Sequence, residues 1–108
     1  MASKMIYETD AVKAFAAQMS SASKRKYLLA KSVLAERGWI GYPEGEKFSQ
    51  YDNLFAIRIV TRGNERFFYC YADPDLVLVL HAFTKKTMKT PNTELNYALK
   101  VKKELLGG

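Results

Sequence analysis

The residues of this sequence best suited to chemistry are positively charged side chains in and after strand-like segments. Arg58 lies in the run LFAIRIV, Arg66 opens RFFYCY, and His81 begins HAFTKKTMKTP, which also contains Lys85 and Lys86. Guanidinium groups match phosphate through paired hydrogen bonds, so the two arginines are candidates to hold a phosphate and its developing charge. Imidazole ordinarily titrates near neutral pH, so His81, the only histidine, is a candidate acid or base.

Each of these roles has a plainer alternative. Arg58 and Arg66 could be ordinary exposed residues that pair with nearby carboxylates. His81 could be a partly buried residue at a strand end, held by a structural hydrogen bond. Lys85 or Lys86 could act as a base only if neighbouring cations lowered its pKa several units from about 10.4, and would otherwise bind phosphates. We expect one of the two lysines to be catalytic and the other to position the substrate.

Four further residues are candidates for contacts around such a site. Lys47 and Lys89 are expected to contact a nucleic-acid backbone at the periphery. Tyr69 and Tyr71 could stack against a base, but strand alternation places both on the face opposite Arg66, and a core position is favoured. The sequence has no clustered carboxylates and no His/Cys spacing typical of a metal site, so we expect neither a metal nor another cofactor.

Length and composition limit the classes of protein to which the chain can belong. With 108 residues, 48% of them hydrophobic, the sequence predicts one ordered domain over residues 1–108. No apolar run approaches the roughly 20 residues of a membrane span, and residues 1–7 lack the apolar segment of a signal peptide. We therefore expect a cytoplasmic protein with no membrane contact. The net charge of +6 predicts an anionic partner, nucleic acid or acidic protein, although a solvated basic surface is the plainer interpretation.

The elements that must position these residues follow from the hydrophobic periodicity. Helices are predicted at residues 7–19, capped by Thr9 or Asp10, and at 23–37, ended by Gly38. Strands are predicted at residues 54–60, 66–72 and 76–83, with a short edge strand possible at 47–50 and one or two short extra strands allowed. A last helix is capped by Thr90, with Pro91 at its first position. The predicted fold class is α+β, with an N-terminal helical hairpin packed on a small antiparallel sheet and a C-terminal helix.

Strand alternation suggests where the cations meet. Arg58 shares a face with Ala56, and Arg66 shares one with Phe68. If the three main strands are neighbours, both arginines, His81 and the lysines after it converge on one face or end of the sheet. Such a cationic groove suits a phosphate backbone.

The second half of the chain, roughly residues 47–105, resembles the phage-derived branch of the RelE/HigB toxin superfamily. The similarity lies in arginines at the facing ends of two strands, an aliphatic strand, and the motif His81-Ala82-Phe83-Thr84-Lys85-Lys86-Thr87-Met88-Lys89-Thr90-Pro91 leading into a helix. Ala82 replaces the glycine and Met88 the glutamine that are common in this motif. Ala56 stands where relatives often have a charge, and Glu65 where they have an aromatic residue; the change at Ala56 bears on catalysis.

The resemblance implies a RelE-like fold and the toxin of a type II toxin–antitoxin system. Such toxins cleave mRNA in the ribosomal A site through the RNA 2′-hydroxyl without a metal. A cognate antitoxin, expected to be a helix-turn-helix protein encoded nearby, neutralises them. Because the residues offer many cations and no strong general base, we expect the ribosome to orient the substrate, and little activity on free RNA. The alternatives are a non-catalytic RNA- or protein-binding module on the same fold, and a regulatory protein with an acidic partner.

Overall fold

The computed structural model describes residues 3–61 and 64–107 and shows a mixed α+β architecture. Along the chain the elements are β1 (Met5–Glu8), α1 (Asp10–Ala17), α2 (Ser21–Arg37), β2 (Gly45–Lys47), β3 (Phe55–Ile59), β4 (Glu65–Asp73), β5 (Leu76–Thr84) and α3 (Asn92–Leu106). The predicted α+β class is confirmed, as are two N-terminal helices, three main strands and a C-terminal helix. No helix in the described ranges is both long enough and apolar enough to cross a membrane.

The strands form one sheet in the order β1-β5-β4-β3-β2. β2, β3, β4 and β5 are antiparallel neighbours, whereas β1 pairs in parallel with β5. The prediction of an antiparallel sheet is therefore wrong at one edge. The sequence predicts no strand at residues 5–8 and a first helix that begins too early, because four residues are too few for a clear period of two. With β1 present, β5 has a neighbouring strand on each side, and it is apolar on both faces because α1 packs on one face and α3 on the other.

Helices cover both faces of the sheet, and each face has its own hydrophobic core. α1 packs on β5, and α2 packs on β3 and β1. Their core, on what we call the α1/α2 face, includes Phe67, whose ring stacks on that of Tyr27 with centroids 3.8 Å apart. α3 packs on β4 and β5 over a second core that includes Phe68 and Leu95, on the α3 face. α1 and α2 rest mainly on the sheet rather than on one another, which refines the predicted helical hairpin.

Short polar side chains and a glycine fix the ends of the first two helices. Thr9 caps α1 by accepting a hydrogen bond from the Val12 N–H, as predicted. Ser20 caps α2 in the same way, so this helix begins two residues earlier than predicted. Gly38 ends α2 with φ +82°, a left-handed conformation that favours glycine, and a Cβ there would lie 2.7 Å from Lys4 Cε.

Two other predicted boundaries are wrong. α3 has Pro91 as its N-cap residue and no capping side chain, so Thr90 does not cap it. Pro91 sits just before the first helical position because its backbone is extended. The edge strand β2 covers residues 45–47 rather than 47–50, which changes the residues that it places on each face.

Candidate functional site

Arg58 and Arg66 lie directly opposite one another on neighbouring strands. Their Cα atoms are paired in the antiparallel register of β3 and β4. Both belong by alternation to the α3 face, with Ala56 and Phe68, as the sequence predicted. Arg66 is only 4% exposed. Among the residues that the structure describes, neither arginine lies within 4.0 Å of a carboxylate oxygen, so two like charges face each other at a cost to the sheet.

Arg66 is held in place by the chain around it. Its Nη1 donates hydrogen bonds to Asn64 Oδ1 at 2.8 Å and to the Glu65 carbonyl oxygen at 3.1 Å. Its Nε is buried and has no hydrogen-bond partner in the described part of the chain. A buried N–H without a partner is rare, and it is typical of a place where a ligand or an ordered water completes the hydrogen bonding.

Glu46 is the acidic neighbour of the arginine pair. Burial lowers the pKa of Arg66, the charge of Arg58 lowers it further, and the carboxylate of Glu46 raises it. Glu46 pairs with Ala56 in the β2–β3 register, which places it on the α3 face. A carboxylate near two guanidinium groups can orient them and can accept a proton. The edge strand predicted at residues 47–50 begins after Glu46 and so leaves this residue out of the site. Alternation along the observed strand places Glu46 on the face of the two arginines.

Asn64 connects the arginine pair to the turn after β5. Its Oδ1 accepts from Arg66 Nη1, and its Nδ2 donates to the Lys85 carbonyl oxygen at 3.1 Å. The Lys85 N–H donates to the Asn64 carbonyl oxygen at 2.9 Å. Asn64 has φ +51°, a conformation that asparagine adopts more readily than most residues. From sequence this residue was only part of a hairpin turn, whereas the structure shows that it joins Arg66 to the segment that contains the lysines.

A β-bulge sets the position of His81. His81 pairs with Phe68 and the next pair joins Tyr69 to Val79, so Leu80 is an extra residue on β5. The His81 ring lies nearly parallel to the Phe68 ring, with centroids 6.5 Å apart, on the α3 face. The bulge therefore turns His81 toward the same face as the arginines.

Glu94, in the first turn of α3, holds the His81 ring. Glu94 Oε1 lies 2.6 Å from His81 Nε2, and the Tyr97 ring packs on the imidazole with centroids 4.6 Å apart. With an ionised carboxylate as partner, Nε2 is the donor, and Nδ1 remains to exchange a proton with a substrate. Arg66 pairs with Phe83, two residues beyond His81, so Arg66 and His81 are diagonal neighbours on one face of the sheet. The structural hydrogen bond expected as an alternative role for His81 exists, and it fixes the orientation of the ring.

The three lysines after β5 differ in their exposure to solvent. Lys85 is half-buried and tied to Asn64, whereas Lys86 and Lys89 are exposed. Thr87 Oγ1 donates to the Lys89 carbonyl oxygen at 2.6 Å, which closes the turn. The structure thus brings Lys85 to the arginine pair through the backbone and leaves the other two on the surface beside it.

Lys47, Tyr69 and Tyr71 lie away from the arginine pair, on the α1/α2 face. Tyr69 is 1% exposed, and burial raises its pKa. Tyr71 packs on the same core, and its hydroxyl donates to a backbone carbonyl oxygen at 2.9 Å. Lys47 pairs with Phe55, which also contacts that core. The structure does not bring these three residues into the site, and the burial of the tyrosines fits the core position that alternation favoured.

The two departures from the resembled family with most bearing on catalysis have a structural explanation. Glu65 is 6% exposed and lies on the α1/α2 face, where it accepts a hydrogen bond from Ser23 Oγ at 2.9 Å. It therefore joins α2 to β4 and does not enter the arginine site. Ala56 is buried and pairs with Glu46 of β2. The charged side chain that relatives often have at the residue matching Ala56 is therefore replaced here by one on the neighbouring strand.

Other reactive groups add nothing to this site. Cys70 is buried in the core of the α3 face, and burial raises its pKa to about 11, so the thiol is protonated and unreactive at neutral pH. Within residues 3–61 and 64–107, no group of three or more His, Cys, Asp or Glu side chains could hold a metal ion.

Comparison with known proteins assigns most of the chain to one family. The family model described as phage-derived protein Gp49-like (DUF891) matches residues 14–103, a range that includes every site residue described above. A search of curated proteins finds no match.

Proposed function

Since the chain belongs to the Gp49-like family of phage-derived proteins, we propose that it is the toxin of a type II toxin–antitoxin pair. In this proposal it is a ribosome-dependent endoribonuclease that cleaves translated mRNA and so inhibits translation. The family match, together with the motif from His81 to Pro91, supports a toxin. The chemistry of the α3 face supports RNA cleavage. A cognate antitoxin, expected to be a helix-turn-helix protein encoded nearby, neutralises it.

The observation that carries this proposal is the opposed pair Arg58 and Arg66. Two guanidinium groups on adjacent strands repel one another, and that of Arg66 is almost fully buried, with no partner for its Nε among the described residues. A phosphodiester supplies the negative charge and the hydrogen-bond acceptors that the two arginines lack, because its oxygens accept paired hydrogen bonds from both guanidinium groups. Charge grows on those oxygens as the phosphate becomes five-coordinate, so the pair binds the transition state better than the substrate.

Cleavage through the 2′-hydroxyl needs a proton acceptor and a proton donor on opposite sides of the phosphate. The 2′-oxygen loses its proton as it attacks phosphorus, and the bond to the 5′-oxygen breaks. The products are a 2′,3′-cyclic phosphate and a 5′-hydroxyl. In the proposed arrangement Glu46 accepts the 2′ proton beside the arginine pair. His81, protonated on Nδ1 and oriented by Glu94, donates a proton to the 5′-oxygen.

Lys85, Lys86 and Lys89 are proposed to bind phosphates of the same strand. With Glu46 available as a base, no lysine has to lose its proton, which would require a large fall in its pKa. The arginine pair lies on the α3 face beside the turn after β5, and the ribosome is proposed to hold the mRNA in line there. Orientation of this kind can supply several kcal/mol of the barrier reduction, about 7 or more in well-aligned intramolecular reactions.

The proposal is tested by induced expression in bacteria, with growth and mRNA integrity as readouts. Wild-type chain should arrest growth and cut translated mRNA. Arg66→Ala should abolish both, and Arg58→Ala should weaken both about 100-fold, the usual cost of one transition-state donor. Lys13→Ala, which removes the same charge from the exposed surface of α1, should change neither. Arg66→Lys keeps the charge but loses the paired hydrogen bonds, so it separates electrostatics from geometry.

The outcomes separate this function from a non-catalytic binding module. Growth arrest without mRNA cleavage would support the non-catalytic binding module. Normal growth after induction would contradict toxicity by either mechanism, cleavage or binding. Unchanged cleavage in Arg58→Ala and Arg66→Ala would show that the site lies elsewhere. Rescue by coexpression of the neighbouring gene product would support the antitoxin part of the proposal.

A further inference from the structure

A second surface of the molecule, reached by the side chain of Arg58, is apolar and open. A groove of about 800 Å³ lies between α2, the end of β3 and residues 39–44. Leu29, Trp39 and Tyr42 line it, with exposures of 67%, 58% and 85%. Large hydrophobic side chains that converge on one exposed groove are typical of a binding site, whereas the same residues scattered singly are not.

The rim of this groove is cationic. The rim contains three cations, Lys26, Arg37 and Arg58, and one carboxylate, that of Glu44. Lys26 Nζ donates to the Val60 carbonyl oxygen at 3.1 Å, and Arg58 Nη1 donates to the Pro43 carbonyl oxygen at 3.4 Å. These neutral acceptors orient the two cations without cancelling their charge. A matching ligand therefore presents apolar side chains to the floor of the groove and carboxylates to its rim.

The residues that α2 contributes indicate the shape of that ligand. Lys26, Leu29, Val33 and Arg37 recur every three or four residues, so they form one stripe along three turns of the helix, about 16 Å. A stripe of this kind packs against a second helix whose side chains interdigitate with it. An added strand would need a long free sheet edge, and β2, the edge strand on this side, has only three residues.

We propose that the groove binds an acidic amphipathic helix of a protein partner, and that binding withdraws Arg58 from the RNA site. Arg58 belongs to both surfaces: it pairs with Arg66 across the strands, and its guanidinium carbon lies 5.8 Å from the centroid of the Tyr42 ring. A partner carboxylate that pairs with Arg58 competes with the scissile phosphate for one guanidinium. Binding of the partner helix depends only on the groove, whereas inhibition by that helix rests on the proposed function, RNA cleavage.

Trp39 gives a direct readout, because it is the only tryptophan and lines the groove. The probe is a synthetic helical peptide without tryptophan, with leucines spaced three and four residues apart and flanked by glutamates. Added to the full chain, it should shift the Trp39 emission to shorter wavelength as the indole is covered. A matched peptide with lysines in place of the glutamates should bind about tenfold more weakly or worse, because it meets a cationic rim.

Two adjacent leucines of α2 provide matched variants. Leu29→Asp puts a charge in the groove and should weaken peptide binding at least about tenfold. Leu28→Asp, at a residue that is 58% exposed and does not line the groove, should leave binding unchanged. Both side chains are largely exposed, so both variants should melt like the wild type. No Trp39 shift, equal binding of the two peptides or equal losses in the two variants would overturn the proposal.

The inhibition is tested separately in a translation reaction. Addition of the acidic peptide should reduce mRNA cleavage by the wild-type chain but not by Leu29→Asp. If Leu29→Asp itself cleaves poorly without peptide, the groove binds RNA and the proposed partner is wrong. If the peptide binds while cleavage continues, competition for Arg58 is wrong. If the wild-type chain does not cleave at all, the proposed function fails, and the result from Trp39 fluorescence still decides the binding.

Discussion

Replacement of Asn64 by glycine separates the geometry of the RNA site from the stability of the fold. Asn64 makes one charge-assisted hydrogen bond, to Arg66 at 2.8 Å, and one neutral hydrogen bond, to Lys85 at 3.1 Å. Such bonds contribute about 1.5–3 and about 1 kcal/mol, and the lower values apply at a half-buried site. Glycine tolerates the positive φ of this residue, so no backbone strain is added. We expect a loss of about 2 kcal/mol, or a melting temperature about 8 °C lower.

The effect on cleavage should be larger than the effect on stability. Without Asn64 the Arg66 guanidinium loses its contact with the turn that contains the lysines, and a displacement of about 1 Å in a catalytic group can cost about 100-fold in rate. Asn53→Gly is the matched control. Asn53 also has a positive φ, and its side chain also makes two hydrogen bonds, both to the backbone of Tyr71, at 2.7 and 2.9 Å.

Asn53→Gly should therefore lower the melting temperature by a similar amount and leave cleavage within about twofold of the wild type, since distant sites are independent. The assay is cleavage of a translated mRNA at a temperature where both variants are folded, as judged by circular dichroism. Equal losses of cleavage in Asn53→Gly and Asn64→Gly would refute a positioning role for Asn64. Full cleavage by Asn64→Gly would do the same.

Three further predictions concern single contacts. Because Glu94 holds His81 Nε2 at 2.6 Å, the wild type should give a slowly exchanging imidazole N–H signal in proton NMR; a signal that survives in Glu94→Ala would contradict this contact. Burial raises the pKa of Cys70 to about 11, so native chain should resist alkylation at pH 8 until it is unfolded with urea; rapid native labelling would place the thiol at the surface. Glu65→Ala removes the carboxylate that accepts from Ser23 Oγ and leaves Thr61 Oγ1 as the partner of this hydroxyl, so urea denaturation should show a loss of about 1–3 kcal/mol with cleavage unchanged. Loss of cleavage at full stability would move Glu65 into the site.

Much of the fold was predictable because the central segments have strong periodicity. Alternation in LFAIRIV and RFFYCY places Arg58 and Arg66 on one face, and the structure confirms both the faces and the adjacency of β3, β4 and β5. The apolar run of β5 predicts a strand covered on both sides, which it is. The parallel strand β1 was not predictable, because its four residues acquire their conformation from pairing with β5 rather than from their own pattern.

The part of the site that sequence reasoning missed depends on contacts between distant segments. Glu46 joins the site only through the register of β2 with β3, and a shift of two residues in the predicted strand was enough to hide it. Asn64 reads as a turn residue, and its contacts with Arg66 and Lys85 form only when β4 and β5 are side by side. The side of the sheet to which His81 turns depends on a bulge, which no local pattern indicates.

The most direct test of the proposed RNA cleavage is the chemistry of the RNA ends in a reconstituted translation reaction. Purified chain is added to an mRNA with and without ribosomes, and the new ends are mapped and analysed. We expect cuts only in the translated mRNA, with a 2′,3′-cyclic phosphate on one side and a 5′-hydroxyl on the other, and no cuts with Arg66→Ala. Intact translated mRNA, or cuts that leave a 3′-hydroxyl, would contradict the proposed cleavage.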